Sequence, residues 1–315
     1  MTAYIIRRIG QAIIVVIGVT ILVFIAIHLI PGGPARALLG PRASQAAIRS
    51  FIDANGYNRP LIVQYFSYAG RLLHGNLGYS YYYNQTVNSL IAQDLPKTLL
   101  LVGCSLVVAL VVAIPIGILQ AVKRNKPVDY VLTGGSFVGY AMPTFWVGLL
   151  LILAFSVKLH LFPSEGPQGT TVASVLSQPR ALVLPVATLS IITIAQYSRF
   201  MRAAAIDNLV EEYVRTARSK GISERQILVR HILRNSVMPI ITLIGLNLPF
   251  LVSGAVITET VFNYPGMGLL FWNAAQYHDY PTLLGFTVVV AAVTVVGSLL
   301  ADILYAATDP RVRYA

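Results

Sequence analysis

Charge is what this sequence has little of. Only 11% of its 315 residues are Asp, Glu, Lys or Arg, while 56% are hydrophobic. A soluble domain carries roughly 25% charged residues, so this chain has too little polar surface to remain in water. Cysteine is nearly missing: Cys104 is the only one, which excludes an internal disulfide and leaves it as a small core residue within an apolar run. The five histidines, His28, His74, His160, His231 and His278, are scattered and have no metal-ligand spacing. There is no Gly-x-x-x-x-Gly-Lys-Ser/Thr phosphate loop and no Gly-x-Ser-x-Gly elbow. The adjacent acids Glu211 and Glu212 fall on the polar face of a helical pattern. These absences argue against a membrane enzyme and against a metal or nucleotide held by this chain. Segments of ~10 residues with alternating polarity, the mark of a transmembrane β-barrel, are also missing.

The scarcity of charge is concentrated. Six stretches contain no Asp, Glu, Lys or Arg: Ile9–Ile30, Thr98–Val122, Val131–Val157, Ala181–Ser198, Asn235–Thr258 and Tyr280–Ala301. Crossing the hydrocarbon core takes about 20 apolar residues in a helix, and lipid offers backbone groups no partners, so helices are required. The expected fold is an all-α, polytopic transmembrane helical bundle of about six spans. The first stretch is too long for a signal-peptide core and lacks a small-x-small site before Pro31-Gly32-Gly33-Pro34, so it reads as a retained span.

With six spans the two termini share a side. The segments on that side, residues 1–8, 123–130, 199–234 and 302–315, hold 15 of the 23 basic residues. The long 31–97 segment carries most of the rest, and long loops cross largely regardless of charge. Both termini are therefore expected in the cytoplasm, in a multi-pass protein of the cell membrane. The net charge of +11 fits loops facing anionic lipid. It is split among membrane-proximal loops, which does not suit nucleic acid.

The chain divides into residues 1–30 (N-terminus and first span), 31–97 (an external helical cap) and 98–315 (five further spans). In the cap, Ser44–Ala54 and Arg59–Leu73 show helical spacing and are followed by the tyrosine-rich run Tyr79–Asn84. That run reads as an interfacial aromatic belt or as a docking surface for an external partner. Proline and glycine interrupt the spans most densely in the third and fifth, where kinked helices that line a path and move are expected. Candidate path residues are Ser136, Tyr140, Pro143, Thr144, Asn247 and Ser253.

Residues 199–234 are the most informative. Ile206, Leu209, Val210, Tyr213, Val214 and Ala217 make one apolar stripe on one helix, with Asp207, Glu211, Arg215 and Arg218 on its polar faces. Gly221 ends it, as a residue free to turn left-handed does. Ser223-Glu224-Arg225-Gln226 matches a capping box for a second helix. A connector built as helix, glycine turn, helix is more than a passive link.

The segment Glu212-Tyr213-Val214-Arg215-Thr216-Ala217-Arg218-Ser219-Lys220-Gly221 resembles the EAA loop of ABC-importer permeases, in the dipeptide, oligopeptide and nickel branch. Tyr4-Ile5-Ile6-Arg7-Arg8, Gly75-Asn76-Leu77-Gly78-Tyr79-Ser80, Arg230-His231-Ile232-Leu233-Arg234-Asn235 and the run Ala301 to Arg311 resemble other parts of that branch, in the right order. The chain departs from the general pattern with Arg215, Thr216 and Ala217 where Glu-Ala-Ala stands, and with Gly33 where the branch usually has Asp. The resemblance implies a type I ABC-importer permease that transports di- or oligopeptides, with nickel chelates, glutathione and sugars as cargoes of the same permease type. It implies ATP and Mg on separate ABC ATPase subunits, a second homologous permease and an extracytoplasmic substrate-binding protein. It implies that Tyr213, Arg215, Thr216, Ala217, Arg218, Lys220 and Gly221 form the ATPase-coupling contact. The rival reading is a secondary transporter or channel. Ion-coupled carriers place ionisable groups mid-membrane, and the six cores here lack Asp, Glu, Lys and Arg.

Overall fold

The computed structural model describes residues 2–40, 43–246 and 255–308. In chain order the helices are α1 (Thr2–His28), α2 (Gly33–Leu39), α3 (Gln45–Asn55), α4 (Leu61–Leu73), α5 (Val87–Val122), α6 (Pro127–Ala141), α7 (Thr144–Leu151) and α8 (Val172–Leu176). They continue with α9 (Pro179–Leu209), α10 (Glu212–Ser219), α11 (Glu224–Ile227), α12 (Leu233–Ser236), α13 (Met238–Leu246), α14 (Val256–Val261), α15 (Met267–Gln276) and α16 (Tyr280–Thr308). Short π-helical stretches, Ile152–Lys158 and Leu228–Ile232, extend α7 and join α11 to α12. The strands β1 (Tyr79–Ser80) and β2 (Gln85–Thr86) pair antiparallel.

Five helical runs are long and apolar enough to cross a membrane, and a sixth crossing results if the bent pair α6 and Thr144–Lys158 is one span. The expectation of about six therefore stands, with one change of shape. The third stretch is two helices meeting at 105°. The residue before a proline is pushed to extended backbone, and Met142 has φ −71 and ψ 131. Pro143 thus caps a new helix instead of kinking an old one. Outward-facing side chains on the spans are apolar: Ile14 is 70% exposed, Leu22 67% and Val111 67%. Burying such residues in water-excluding lipid is worth ~1.5–3 kcal/mol each.

The chain forms two compact units. The first comprises residues 1–98, 248–256 and 265–315. Within it α1 runs along α16, and the start of α5 packs with α15 and α16 around Val87, Leu90, Ile91, Met267, Leu270 and Phe286. At Gly285 a Cβ would stand 2.5 Å from Val87 Cγ1, so the glycine permits that close approach. α1 ends at His28, before Gly32 and Gly33 with φ of 91° and 75°. Ser44 caps α3 by accepting from Ala47 N–H, and the expected cap helices form close to where the spacing puts them. The tyrosine-rich run forms the hairpin of β1 and β2. Ser80 Oγ, fully buried, donates to Asp279 Oδ2 at 2.6 Å, and Thr282 Oγ1 donates to the same oxygen at 2.6 Å. Tyr82 stacks on Tyr277 with ring centroids 4.4 Å apart.

The second unit comprises residues 99–247 and 257–264. Here α6 and α7 pack on α9, and Ala113, Tyr197, Met201 and Ile240 form the centre. At Gly117 a Cβ would meet Met201 Cβ at 2.5 Å and the Ser198 carbonyl at 2.8 Å, so α5 touches α9 backbone-close. The C-terminal stretch beyond 308, and with it the end of the run Ala301 to Arg311, lies outside the described residues.

Candidate functional site

The segment from the end of α9 to α12 lies wholly in the second unit. α9 stops at Leu209, Val210 closes it, and Glu211 takes an extended backbone that starts α10. This corrects the expectation of one continuous helix bearing one stripe. Val210 was on that stripe and is 63% exposed. The break shifts the register, so that Val214 and Ala217 point inward from α10 while Val210 does not. Tyr213 crosses the break, donating its hydroxyl to Asn208 Oδ1.

α10 has two different faces. Its inner face seats Val214 and Ala217 against Ala121, Ala205, Ile227 and Ile232, all buried, with Tyr213, Ile206 and Leu209 half-buried around them. The outer face exposes Arg215, Thr216, Arg218 and Lys220. Arg215 Nη1 pairs with Glu212 Oε1 at 2.8 Å, and Thr216 Oγ1 donates to the Glu212 carbonyl at 2.9 Å. Gly221 has φ +73. Its N–H donates to the Arg218 carbonyl, and the Ile222 N–H donates to Ala217. This is a left-handed helix end that satisfies carbonyls otherwise left open. Such a φ disfavours a side chain by ~1–2 kcal/mol.

The expected capping box does not form. Ser223 has the extended backbone of an N-cap, but its side chain accepts no cap hydrogen bond. Glu224 instead turns to Arg218, which donates from Nε to Oε1 at 2.8 Å and from Nη2 to Oε2 at 3.3 Å. The carboxylate holds the Arg218 pKa above its usual value. Both groups are exposed, so the pair fixes the shape of the turn more than it stabilises the fold.

Of the seven residues expected at a coupling contact, the structure brings Arg215, Thr216, Arg218, Lys220 and Gly221 to one exposed surface. Tyr213 braces the helix from its side. Ala217 is 5% exposed and faces the chain's own core. Its small size sets how closely α10 approaches α5 and α9, and it offers no surface to a partner.

Of the six candidate path residues, four lie among the described residues. Ser136 is 8% exposed; its Oγ donates to the Leu132 carbonyl at 2.9 Å and lies 3.1 Å from Ser198 Oγ. It knits α6 to α9 and does not face an open path. Tyr140 is exposed, with the Arg199 guanidinium carbon 5.3 Å from its ring centroid. Pro143 and Thr144 form the bend. Asn247 and Ser253 lie outside the described residues.

Sequence reasoning missed a bidentate ion pair in this unit. Asp129, in the first turn of α6, is 3% exposed and meets Arg202 of α9 through two parallel bonds of 2.8 Å. Thr133 Oγ1 and the Asn125 N–H complete the four bonds to its oxygens, at 3.1 and 3.0 Å. The only linear signal was an acid and an arginine at the ends of neighbouring apolar stretches. No groups of three or more His, Cys, Asp or Glu placed to hold a metal ion occur among the described residues.

Residues 113–314 match the family described as the binding-protein-dependent transport system inner membrane component. Residues 1–102 match the N-terminal region of such a membrane component. The oligopeptide transport system permease protein AppB of Bacillus subtilis is 41% identical over 316 residues, covering 100% of both chains. The dipeptide transport system permease protein DppB of Escherichia coli K12 is 34% identical, covering 100% of this chain and 99% of its own. The probable D,D-dipeptide permease DdpB of the same strain is 37% identical over 97% and 96% of the two chains.

Proposed function

Because the chain belongs to the family of binding-protein-dependent transport inner membrane components, and is therefore a multi-pass permease subunit of an ABC importer, we propose that its cargo is di- or oligopeptides and that α10 with its Gly221 turn is where the ATPase docks. The peptide assignment rests on relatives named for oligopeptide and dipeptide transport that align along the whole chain. ATP and Mg sit on the ATPase subunits, and an extracytoplasmic binding protein delivers the cargo. A second permease, homologous to this one, completes the membrane path. Both chain termini face the cytoplasm, on the side to which the basic residues are biased. Family membership displaces the channel and secondary-carrier reading.

One observation carries the docking assignment: α10 is anchored by an apolar face and presents a charged one, on which Arg215 and Arg218 stand beside Glu212 and Glu224. A helix fixed to its own core through Val214, Ala217, Ile227 and Ile232 moves with α9 when pushed. Its exposed Arg215, Thr216, Arg218 and Lys220 can meet a polar cleft on the ATPase, with Arg215 and Arg218 exchanging Glu212 and Glu224 for groups of the partner. Coupling then needs no flexible joint, since closure of the ATPase displaces α10 and α10 carries the end of α9.

The test is a mild-detergent pull-down of the tagged chain from its native membranes, with the eluate assayed for ATP hydrolysis. An ATPase and a second permease are expected with vanadate-sensitive activity, and the double reversal Arg215→Glu with Arg218→Glu should lose the ATPase while the second permease stays bound. Undiminished ATPase capture by that variant would place the docking surface elsewhere. A chain that purifies alone, without activity, would remove the assembly itself.

A further inference from the structure

The first unit contains a cavity of about 410 Å3 that transport does not account for. Its apolar walls come from the last turns of α1 (Phe24, Ile27), from Phe51 of α3 and from the first turns of α16 (Leu284). Most polar groups around it are already used. His28 Nδ1 bonds the Phe24 carbonyl at 2.7 Å and Nε2 bonds Gln64 Oε1 at 3.0 Å. The Gln64 amide donates to the carbonyls of Tyr57 and Arg59 at 3.0 and 2.7 Å.

Two groups remain open. The Tyr68 hydroxyl is buried and has no hydrogen-bond partner. A buried polar group left unmade is costly enough that a native structure normally satisfies it. Burial pushes its pKa up to about 12, so at neutral pH it is a proton donor. Arg71 lines the same cavity while remaining exposed. It reaches the Tyr57 hydroxyl, and no carboxylate pairs with it among the described residues. A permanent cation and an unused hydroxyl donor together match an oxyanion, and guanidinium is the side chain that suits phosphate best.

The position of the cavity identifies which oxyanion. The last turns of α1 and the first turns of α16 are the ends of two membrane spans, and such ends lie at headgroup depth, where tyrosines concentrate. Below them the flank of α1 stays open and apolar, with Leu22 67% and Ile25 46% exposed, a surface for acyl chains. We propose that this cavity is a specific site for an anionic phospholipid, its phosphate held by Arg71 and the Tyr68 hydroxyl and its first chain segments lying against α1. The bound lipid would supply the partner that Tyr68 lacks and tie α4 to α1.

Native mass spectrometry of the purified importer complex tests this. The complex is delipidated, then exposed to phosphatidylglycerol or to phosphatidylcholine of the same chains. Wild type should retain phosphatidylglycerol, and Arg71→Gln should lower that retention by about tenfold or more, the loss of one charge-assisted bond. Tyr68→Phe should lower it by a smaller factor, and Arg49→Gln, an exposed arginine away from the cavity, should leave it unchanged. Equal retention by wild type, Arg71→Gln and Tyr68→Phe would overturn the site. Displacement of the lipid by millimolar inorganic phosphate or by an acidic dipeptide would mean that the cavity takes a soluble anion, and the lipid would be the wrong occupant. If Arg71→Gln fails to assemble, Tyr68→Phe decides alone, because it removes one oxygen from a group that makes no bond within the protein.

Discussion

Replacing Asp129 by Asn removes one charge and almost no volume, and its effect can be worked from the contacts. Each carboxylate oxygen accepts two hydrogen bonds: Oδ1 from Arg202 Nε and Thr133, Oδ2 from Arg202 Nη2 and the Asn125 N–H. An amide nitrogen in place of Oδ2 sets donor against donor at two of the four bonds, and in place of Oδ1 at one, since the Thr133 hydroxyl can turn to accept. It also leaves a guanidinium without its counter-charge in a low-dielectric setting. Removing one member of a buried pair costs ~3–5 kcal/mol. The Arg202 side chain is 27% exposed, so water partly replaces the lost partner and the lower end, ~3 kcal/mol, applies. At ~2–4 °C per kcal/mol for a chain of this size, the apparent melting temperature of the purified complex should fall by about 6 °C or more. A cycle with Arg202→Gln should show that the double variant loses ~1–3 kcal/mol less than the sum of the two singles. The exchanged pair, Asp129→Arg with Arg202→Asp, should not rescue. Asp129 lies in the first turn of α6, where the helix dipole favours an anion, and the reversed acid would lose the Asn125 N–H. A melting temperature for Asp129→Asn within a degree of wild type, or an additive cycle, would refute the assignment of this pair as the clasp between α6 and α9.

Two further outcomes follow from glycine geometry. Gly117→Ala should lower stability by ~1–3 kcal/mol through overpacking, because its Cβ would lie 2.5 Å from Met201 Cβ and 2.8 Å from backbone; a melting temperature equal to wild type would show that α5 and α9 have room to part. A Cβ at Gly221 would meet no atom within 4 Å, so Gly221→Leu should fold and insert normally while strain at φ +73 alters the turn, raising the ATP hydrolysed per peptide transported. Gly221→Asn, which tolerates that backbone, should couple near normally, and normal coupling by Gly221→Leu would remove the turn from the mechanism.

The spans were legible because they are written in what the chain omits: a run without charge is a local property, and lipid leaves no alternative to helix. Gly221 was legible for a similar reason, since its role depends only on its own backbone. The failures share a different cause. Val210 and Glu211 contain neither Gly nor Pro, so nothing in the 3.6-residue period announces that α9 ends there. A slip of register is invisible to a pattern that counts apolar residues. Ser223 and Gln226 satisfy the capping-box spacing, yet the Ser223 side chain makes no cap hydrogen bond, and the turn is held by Glu224 pairing with Arg218, six residues back. The hairpin at Tyr79–Thr86 depends on Ser80 meeting Asp279, 199 positions away. Asp129 and Arg202 are 73 positions apart, and the sequence shows Arg202 only as one of the basic residues of its segment for the same reason.

That last pair bears on how α10 could act. Arg202 lies two turns before the end of α9, and α10 begins after a break of two residues. A push on α10 reaches α9 through Val214 and Ala217, whose contacts are apolar and non-directional. Such contacts resist compression but let a helix slide or roll. Further up α9, the Arg202–Asp129 fork is directional, and two parallel bonds to a planar carboxylate lose strength with small rotations. Ser136 against Ser198, about two turns along α6 and one along α9, adds a second polar tie. If α10 takes the push of the ATPase, rolling of α9 on α6 would break these ties, so α6, which runs into the bend at Pro143, is expected to move with α9. An intact clasp would carry the stroke to that bend, and a broken one would spend it as slippage. Asp129→Asn should accordingly raise the ATP consumed per peptide even at temperatures where the variant is fully folded. A variant that is less stable yet couples normally would mean that the clasp serves the fold alone.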